Sequence, residues 1–155
     1  MSRRGAIAMT GDEAASFLAD HTTLTCATIG HDGWPHLMPL WYVIRPPGGE
    51  LWAWTYAKSQ KAVNLRRDPR CTLQVEAGEE YSELRGVMLA CRAELHREPD
   101  VVAPLGAAII ARHGGGQVTP ELEQALRAQA VKRVGLQFRE LRRVTWDHRK
   151  LGGTY

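Results

Sequence analysis

The apolar and polar positions of this chain change period several times, and each change marks an element. From Gly11 to Asp20, Ala14, Phe17 and Leu18 fall on one side of a 3.6-residue period, which predicts a first helix. Thr22 to Ile29 is small and β-branched and reads as a strand. His31-Asp32-Gly33 is a hairpin turn signal, with Pro35 to Ile44 as the return strand. Pro46-Pro47-Gly48-Gly49 makes the next turn. A third strand, Leu51 to Tyr56, puts Leu51, Ala53 and Thr55 on one face and Trp52, Trp54 and Tyr56 on the other. A short helix opens at Ser59 and ends before Asp68-Pro69, because a residue preceding proline avoids the α region.

Alternation returns at Cys71, Leu73, Val75 and Ala77, a strand with one buried face. Gly78 to Glu83 is a polar loop, and Val87 to His96 a long strand with Cys91, Ala93 and Leu95 facing inward. Pro99 to His113 reads as a helix stopped by Gly114-Gly115-Gly116. Thr119-Pro120 opens another, through about Ala130. Val134 to Phe138 is a strand, the phase shifts near Glu140 as at a bulge or turn, and Val144 to Trp146 resumes it before a polar tail, 147–155. Six or seven strands joined mostly by hairpins must pair antiparallel. With helices inserted between them they predict an α+β barrel rather than a doubly wound sheet.

Composition narrows the classes. The 155 residues are 44% hydrophobic, enough for one domain with a core over 1–155. No run of about 18 apolar residues is present, so no membrane span is expected. The apolar run after Arg3-Arg4 is too short for a secretory signal, which points to the cytoplasm. Three scattered cysteines, Cys26, Cys71 and Cys91, argue against a disulfide framework and read as core residues. The six histidines lack ligand spacing, so no metal is expected. A net charge of +3, with glutamates mixed among the arginines, does not indicate nucleic acid.

The chemistry concentrates at Trp52 to Asn64. Thr55, Lys58, Ser59 and Lys61 converge where a helix begins, and a helix N-terminus offers unpaired N–H donors and partial positive charge. That is a site for a phosphate, and Trp54 lies just upstream as a flat apolar wall. Each residue also has a plainer reading: Lys58 and Lys61 as exposed lysines, Ser59 as a cap, Thr55 as a strand residue, Asn64 as an exposed polar group. Pro39 inside a strand requires an edge or irregular position, which leaves backbone groups free to face a ligand. Trp41 beside it reads equally as core.

Gly33-Trp34-Pro35, Pro39-Leu40-Trp41-Tyr42, Trp54-Thr55, Ser59-Gln60-Lys61-Ala62, Asn64-Leu65 and Asp68-Pro69-Arg70 form an ordered series. The series resembles the pyridoxamine 5′-phosphate oxidase-like split β-barrel superfamily over roughly Thr22 to Leu95, and Trp146-Asp147 also fits. In that resemblance Thr55, Ser59, Lys61 and Ala62 match the oxidase's FMN-phosphate residues. Gln60 stands where the oxidase has arginine, and Met38 replaces another arginine on the preceding strand. The Gly-x-Pro-x-x-x-Pro-x-Trp-Tyr pattern is closer to the flavin/deazaflavin oxidoreductase branch called FDOR-B.

The resemblance implies a mostly antiparallel split β-barrel, a homodimer with cofactor sites at the subunit interface, and Met38, Pro39, Leu40 and Trp41 along the cofactor ring. Trp54, Thr55, Lys58, Ser59, Lys61 and Asn64 complete the expected cofactor contacts, and no catalytic side chain is identifiable. The expected function is hydride transfer between coenzyme F-420, favoured over FMN, and a small conjugated or heteroaromatic substrate. The alternative is a non-catalytic module that holds FMN, F-420 or haem for storage or sensing. Trp52, Trp54 and Tyr56 on one strand face add a physical argument for a dimer, since a small barrel has difficulty covering aromatics on both sides of its sheet.

Overall fold

The computed structural model describes residues 3–152. Its elements are α1 (Arg3–Ala6), α2 (Gly11–Asp20), β1 (Thr23–Ile29), β2 (Pro35–Trp41), β3 (Val43–Arg45), β4 (Glu50–Tyr56), α3 (Gln60–Arg67), β5 (Arg70–Ala77), β6 (Arg85–His96), α4 (Pro99–Gly114), α5 (Pro120–Ala130) and β7 (Arg133–Asp147). Single 3-10 turns follow β5, at Tyr81–Glu83, and β7, at His148–Leu151.

The seven strands form one antiparallel sheet in the order β2-β1-β5-β6-β7-β4-β3. β2 and β3 are its two outer strands, yet only Tyr42 separates them in the chain. Both facts hold only if the sheet curls until its ends meet. The result is a barrel with an unzipped seam, across which β2 faces β4 without ladder pairing. Tyr42 pins the corner. It is fully buried, and its hydroxyl donates to the Leu18 carbonyl at 2.7 Å.

Alternation fills the barrel as expected: Leu24, Cys26, Leu51, Ala53, Leu73, Val75, Val87, Leu89, Leu136 and Phe138 point inward, closed over by Phe17, Leu18 and Leu65 from α2 and α3. A buried side chain of this size contributes about 1.5–3 kcal/mol relative to exposure. The β1–β2 hairpin turns where Gly33 adopts φ 82°, a conformation disfavoured for residues with a Cβ. The Trp34 amide donates to Asp32 Oδ1 there at 3.1 Å.

Outside the barrel, Val102, Leu105 and Ile109 of α4 cover Trp52 and Trp54. Gly106 permits the approach, since a Cβ there would stand 2.5 Å from the Trp54 ring. This weakens the dimer argument drawn from the aromatic face of β4: the chain half-buries Trp52 and Trp54 against its own helix and leaves Tyr56 exposed.

Two further expectations change and one is borne out. The strand expected from Pro35 to Ile44 breaks at Tyr42, because the chain passes there from one end of the sheet to the other. The bulge or turn expected near Glu140 is a bulge: β7 runs on from Arg133 to Asp147, with Leu141 bulged out between Glu140, opposite Cys91, and Arg142, opposite Ala90. The polar tail expected from 147 begins with the last strand residue and a 3-10 turn; 153–155 lie outside the described residues. The segment after α1 had no expected structure. It is tied to β7, whose Asp147 amide donates to the Ile7 carbonyl at 2.7 Å and whose Thr145 hydroxyl accepts from the Met9 amide at 2.9 Å. Among the described residues no helix is long and apolar enough to cross a membrane.

Candidate functional site

β4 delivers chemistry to both of its faces. Thr55 points into the barrel, while Trp54 and Tyr56 point outward. The chain leaves β4 through a tight turn, with the Ser59 amide donating to the Tyr56 carbonyl at 3.0 Å, and α3 begins at once. Ser59 caps α3, its Oγ accepting the Ala62 amide at 3.4 Å. The same oxygen accepts the Thr55 hydroxyl at 3.2 Å. Thr55 in turn accepts from Lys61 Nζ at 3.3 Å. Two accepted bonds occupy the lone pairs of Ser59, so its own O–H remains a donor. Lys61 spends one of three ammonium protons, and the other two have no partner among the described residues. The cluster therefore presents the free N–H groups of Lys61 and the O–H of Ser59 at a helix N-terminus.

Lys61 was expected to be exposed; it is 8% exposed. Barrel closure encloses it. Burial pulls its pKa down from the ordinary lysine value, only partly opposed by the nearby Cys26 thiol. No carboxylate among the described residues pairs with it. A buried cation without a counter-ion is costly unless an anion arrives. Lys58, in the turn, is exposed.

Asn64 was read either as exposed or as a contact to a ligand's anionic tail or to helix-anchoring backbone. It is fully buried, donating to Thr28 Oγ1 at 3.0 Å and accepting from Gln60 Nε2 at 2.8 Å. Its amide is used within the protein, locking α3 onto β1. Arg66 and Arg67 brace the same helix by donating to the Ala57 and Ile29 carbonyls.

The β2 residues divide by face. Met38 and Leu40 pair with Cys26 and Leu24, so they share the inner face; Pro39 and Trp41 lie on the outer one. β2 is an outer strand, the position Pro39 requires. Trp41 is not core. It is 54% exposed and stacks on His113 of α4, with ring centroids 4.1 Å apart.

Between β2 and β4 the seam opens into a cleft of about 470 Å³, with Pro39, Leu40 and Trp41 on one side, Trp54 on the other and Ile109 and Ile110 above. Arg133, which the sequence did not single out from its basic neighbours, lines it too. A larger cleft of about 550 Å³ lies by the Pro47–Glu50 turn. Its charges are already paired, Arg139 with Glu94 at 2.8 Å and Arg143 with Glu140 at 2.7 Å. The seam's one cation, Arg133, has no carboxylate partner among the described residues, which makes the seam the better anion site of the two clefts. Among the described residues no group of three or more metal-ligating side chains could hold an ion.

A family model described as pyridoxamine 5′-phosphate oxidase matches residues 10–144. The chain belongs to the pyridoxamine 5′-phosphate oxidase family. Within this family's split barrel, a crystal structure of the conserved hypothetical protein Rv2991 from Mycobacterium tuberculosis is 42% identical. The match covers 100% of this chain and 95% of that one, with a TM-score of 0.88. An F-420 reductase shares the fold at 20% identity, covering 87% of this chain and 97% of that one, with a TM-score of 0.67. So does HutZ, the haem storage protein from Vibrio cholerae, at 16% identity, 87% and 94% coverage and a TM-score of 0.66. No curated protein matches the chain.

Proposed function

We propose that this protein is a cytoplasmic oxidoreductase that binds a phosphorylated flavin or deazaflavin, with the phosphate at the start of α3 and the ring in the seam. The observation that carries this reading is Lys61: a buried ammonium with two unused N–H groups and no carboxylate, beside the Ser59 hydroxyl at the start of α3, while Trp54, the residue before Thr55, lines the apolar cleft. The residues fit the group. Lys61, Ser59 and the first amides of α3 would hold the phosphate, with Lys58 adding long-range attraction from the turn. Thr55 positions both Lys61 and Ser59 and meets the anion through them.

When bound, such a cofactor supplies hydride chemistry through its own ring. The chain's part is binding, orientation and exclusion of water. Pro39 and Trp41 on one side and Trp54 on the other form flat walls for the ring. Clamping by His113 and Gly106 keeps Trp41 and Trp54 in place. No acidic side chain lines the cleft, so this reading assigns no proton donor to it.

Coenzyme F-420 is favoured over FMN, because Met38 and Gln60 leave the phosphate end without arginines while Lys58 and Lys61 suit a longer anionic tail. The reading includes a homodimer. Trp34, just before β2, and Leu37 and Trp41 on its outer face leave exposed apolar surface, where a second copy would complete the cofactor site.

The test is titration of purified protein, freed of ligand, with FMN and with F-420, read by visible absorbance and calorimetry. Saturable binding of F-420 tighter than FMN supports the reading, and binding of neither overturns it. Turnover with quinones, enones and tetrapyrroles then separates an enzyme from a storage or sensing module of the kind HutZ's fold can serve.

A further inference from the structure

The seam carries a second cation that the phosphate end does not use. Arg133 opens β7 directly opposite Tyr56. Its guanidinium carbon lies 4.2 Å from the Trp54 ring centroid and 4.1 Å from that of Tyr56. Its Nε donates to Gln129 Oε1 at 3.3 Å. None of the described carboxylates pairs with it, although Arg139, Arg143 and Arg149 each have one within 2.8 Å. Two rings and Gln129 hold the guanidinium and leave its terminal N–H groups without a partner among the described residues, a group that can take a carboxylate through two parallel hydrogen bonds.

The surroundings add selectivity. Apart from Arg133, the cleft's polar residues are Thr23 and Gln129, and it has no acid. Its walls at Pro39, Trp41, Trp54, Ile109 and Ile110 are apolar. A neutral ligand of the right shape would fill the walls and leave Arg133 covered but unpaired, at a cost. A ligand with one carboxylate satisfies both.

We infer that the seam cleft selects a flat, hydrocarbon-bodied substrate carrying a single carboxylate, and that Arg133 is the residue that binds that carboxylate. The inference rests on the reading of the seam as the site of reaction. A carboxylate could also come from the acidic tail of a deazaflavin cofactor, so the experiment separates the two.

The probe pair is 2-naphthoate and 2-naphthamide, which share a body and differ in charge. Each is titrated into the full chain without cofactor, by calorimetry and by the fluorescence of Trp41 and Trp54. The acid should bind about ten-fold or more tighter than the amide, and Arg133→Gln should erase that preference while leaving amide binding within about two-fold. Arg133→Lys should restore part of it, since the charge returns without the fork. Equal binding of acid and amide by the native chain, no binding of the acid up to millimolar concentration, or a preference that survives Arg133→Gln would each overturn the inference. So would an Arg133→Gln chain that loses affinity for F-420 but keeps its naphthoate preference, which would assign the arginine to the tail. Melting temperature without ligand confirms that each variant is folded. Loss of FMN and F-420 binding with naphthoate discrimination intact would refute the proposed cofactor and leave the carboxylate site standing.

Discussion

Replacing Lys61 with methionine separates anion binding from folding, because the two should move in opposite directions. Methionine keeps much of the length and all of the apolar stem but removes the charge. In the ligand-free protein the buried ammonium has one hydrogen bond, to Thr55 at 3.3 Å, and burial holds its pKa below the ordinary 10.5. The native state thus binds that proton less readily than the unfolded chain. Between the lowered native pKa and 10.5 the unfolded state carries more protons, and stability rises with pH across that window. Lys61→Met removes both the penalty and this rise.

Stability at neutral pH should stay level or increase by about 1 kcal/mol, a melting shift of roughly 2–4 °C for a chain of this size. Binding should weaken, since a charge-assisted bond to phosphate contributes roughly 1.5–3 kcal/mol, or about ten- to hundred-fold in dissociation constant. The assay is calorimetric titration with FMN and F-420, paired with thermal melts of the ligand-free protein from pH 7 to 10. A variant that binds both cofactors as the native chain does would refute the reasoning. So would one that loses several kcal/mol without ligand, which would make Lys61 a structural cation.

Other consequences follow from the packing. Arg112 of α4 donates to the carbonyls of Leu18, Ala19 and His21 at 2.9, 3.0 and 2.7 Å, closing the end of α2, so Arg112→Met should cost about 2–4 kcal/mol in urea unfolding. Gly106→Ala would drive a methyl to 2.5 Å from Trp54; it should cost about 1–3 kcal/mol and change tryptophan fluorescence, because the indole must move. Asn64→Ala leaves Thr28 without its buried donor and should lower stability by about 1–3 kcal/mol, with cofactor affinity changing little once stability is matched. The Asp147 carboxyl is held below the ordinary 3.8 by its bonds to Arg149, so its contribution is present above that value and lost as pH falls through the native pKa. Unfolding at pH 3 and pH 7 should therefore show a smaller acid loss in Asp147→Asn than in the native chain.

Elements whose identity depends on nearby residues were legible in the sequence. The helix at Gly11–Asp20, the α3 start at Ser59 and the α5 start at Thr119 are set by caps and local periodicity, and the strands by alternation. The Glu140 phase shift marked a true bulge. What escaped was set by distant pairing. Val43 and Ile44 continue the apolar run of β2, so nothing local shows that the chain changes sheet edge at Tyr42. Lys61 has the neighbours of a surface lysine, and only barrel closure buries it. Arg133 lies 79 residues beyond Trp54 and meets it through the β4–β7 ladder. The one available signal was the outward phase of Trp54 and Tyr56, which asks for a cover that a downstream arginine can supply.

The order of strands in space has a consequence for how the chain is made. β4 is synthesised before residue 60, but its central partner is β7, with Leu51 opposite Phe138 and Tyr56 opposite Arg133. Until β7 leaves the ribosome, β4 has only the three-residue β3 beside it, and its other edge is open. β7 also completes β6, so one late segment supplies the ladder that joins the two halves of the sheet. A nascent chain halted near residue 130 should therefore be protease-sensitive and prone to associate through unpaired edges. Full-length refolding should be slow for the chain's size, because the entropy of closing an 80-residue loop comes before the ladder that offsets it.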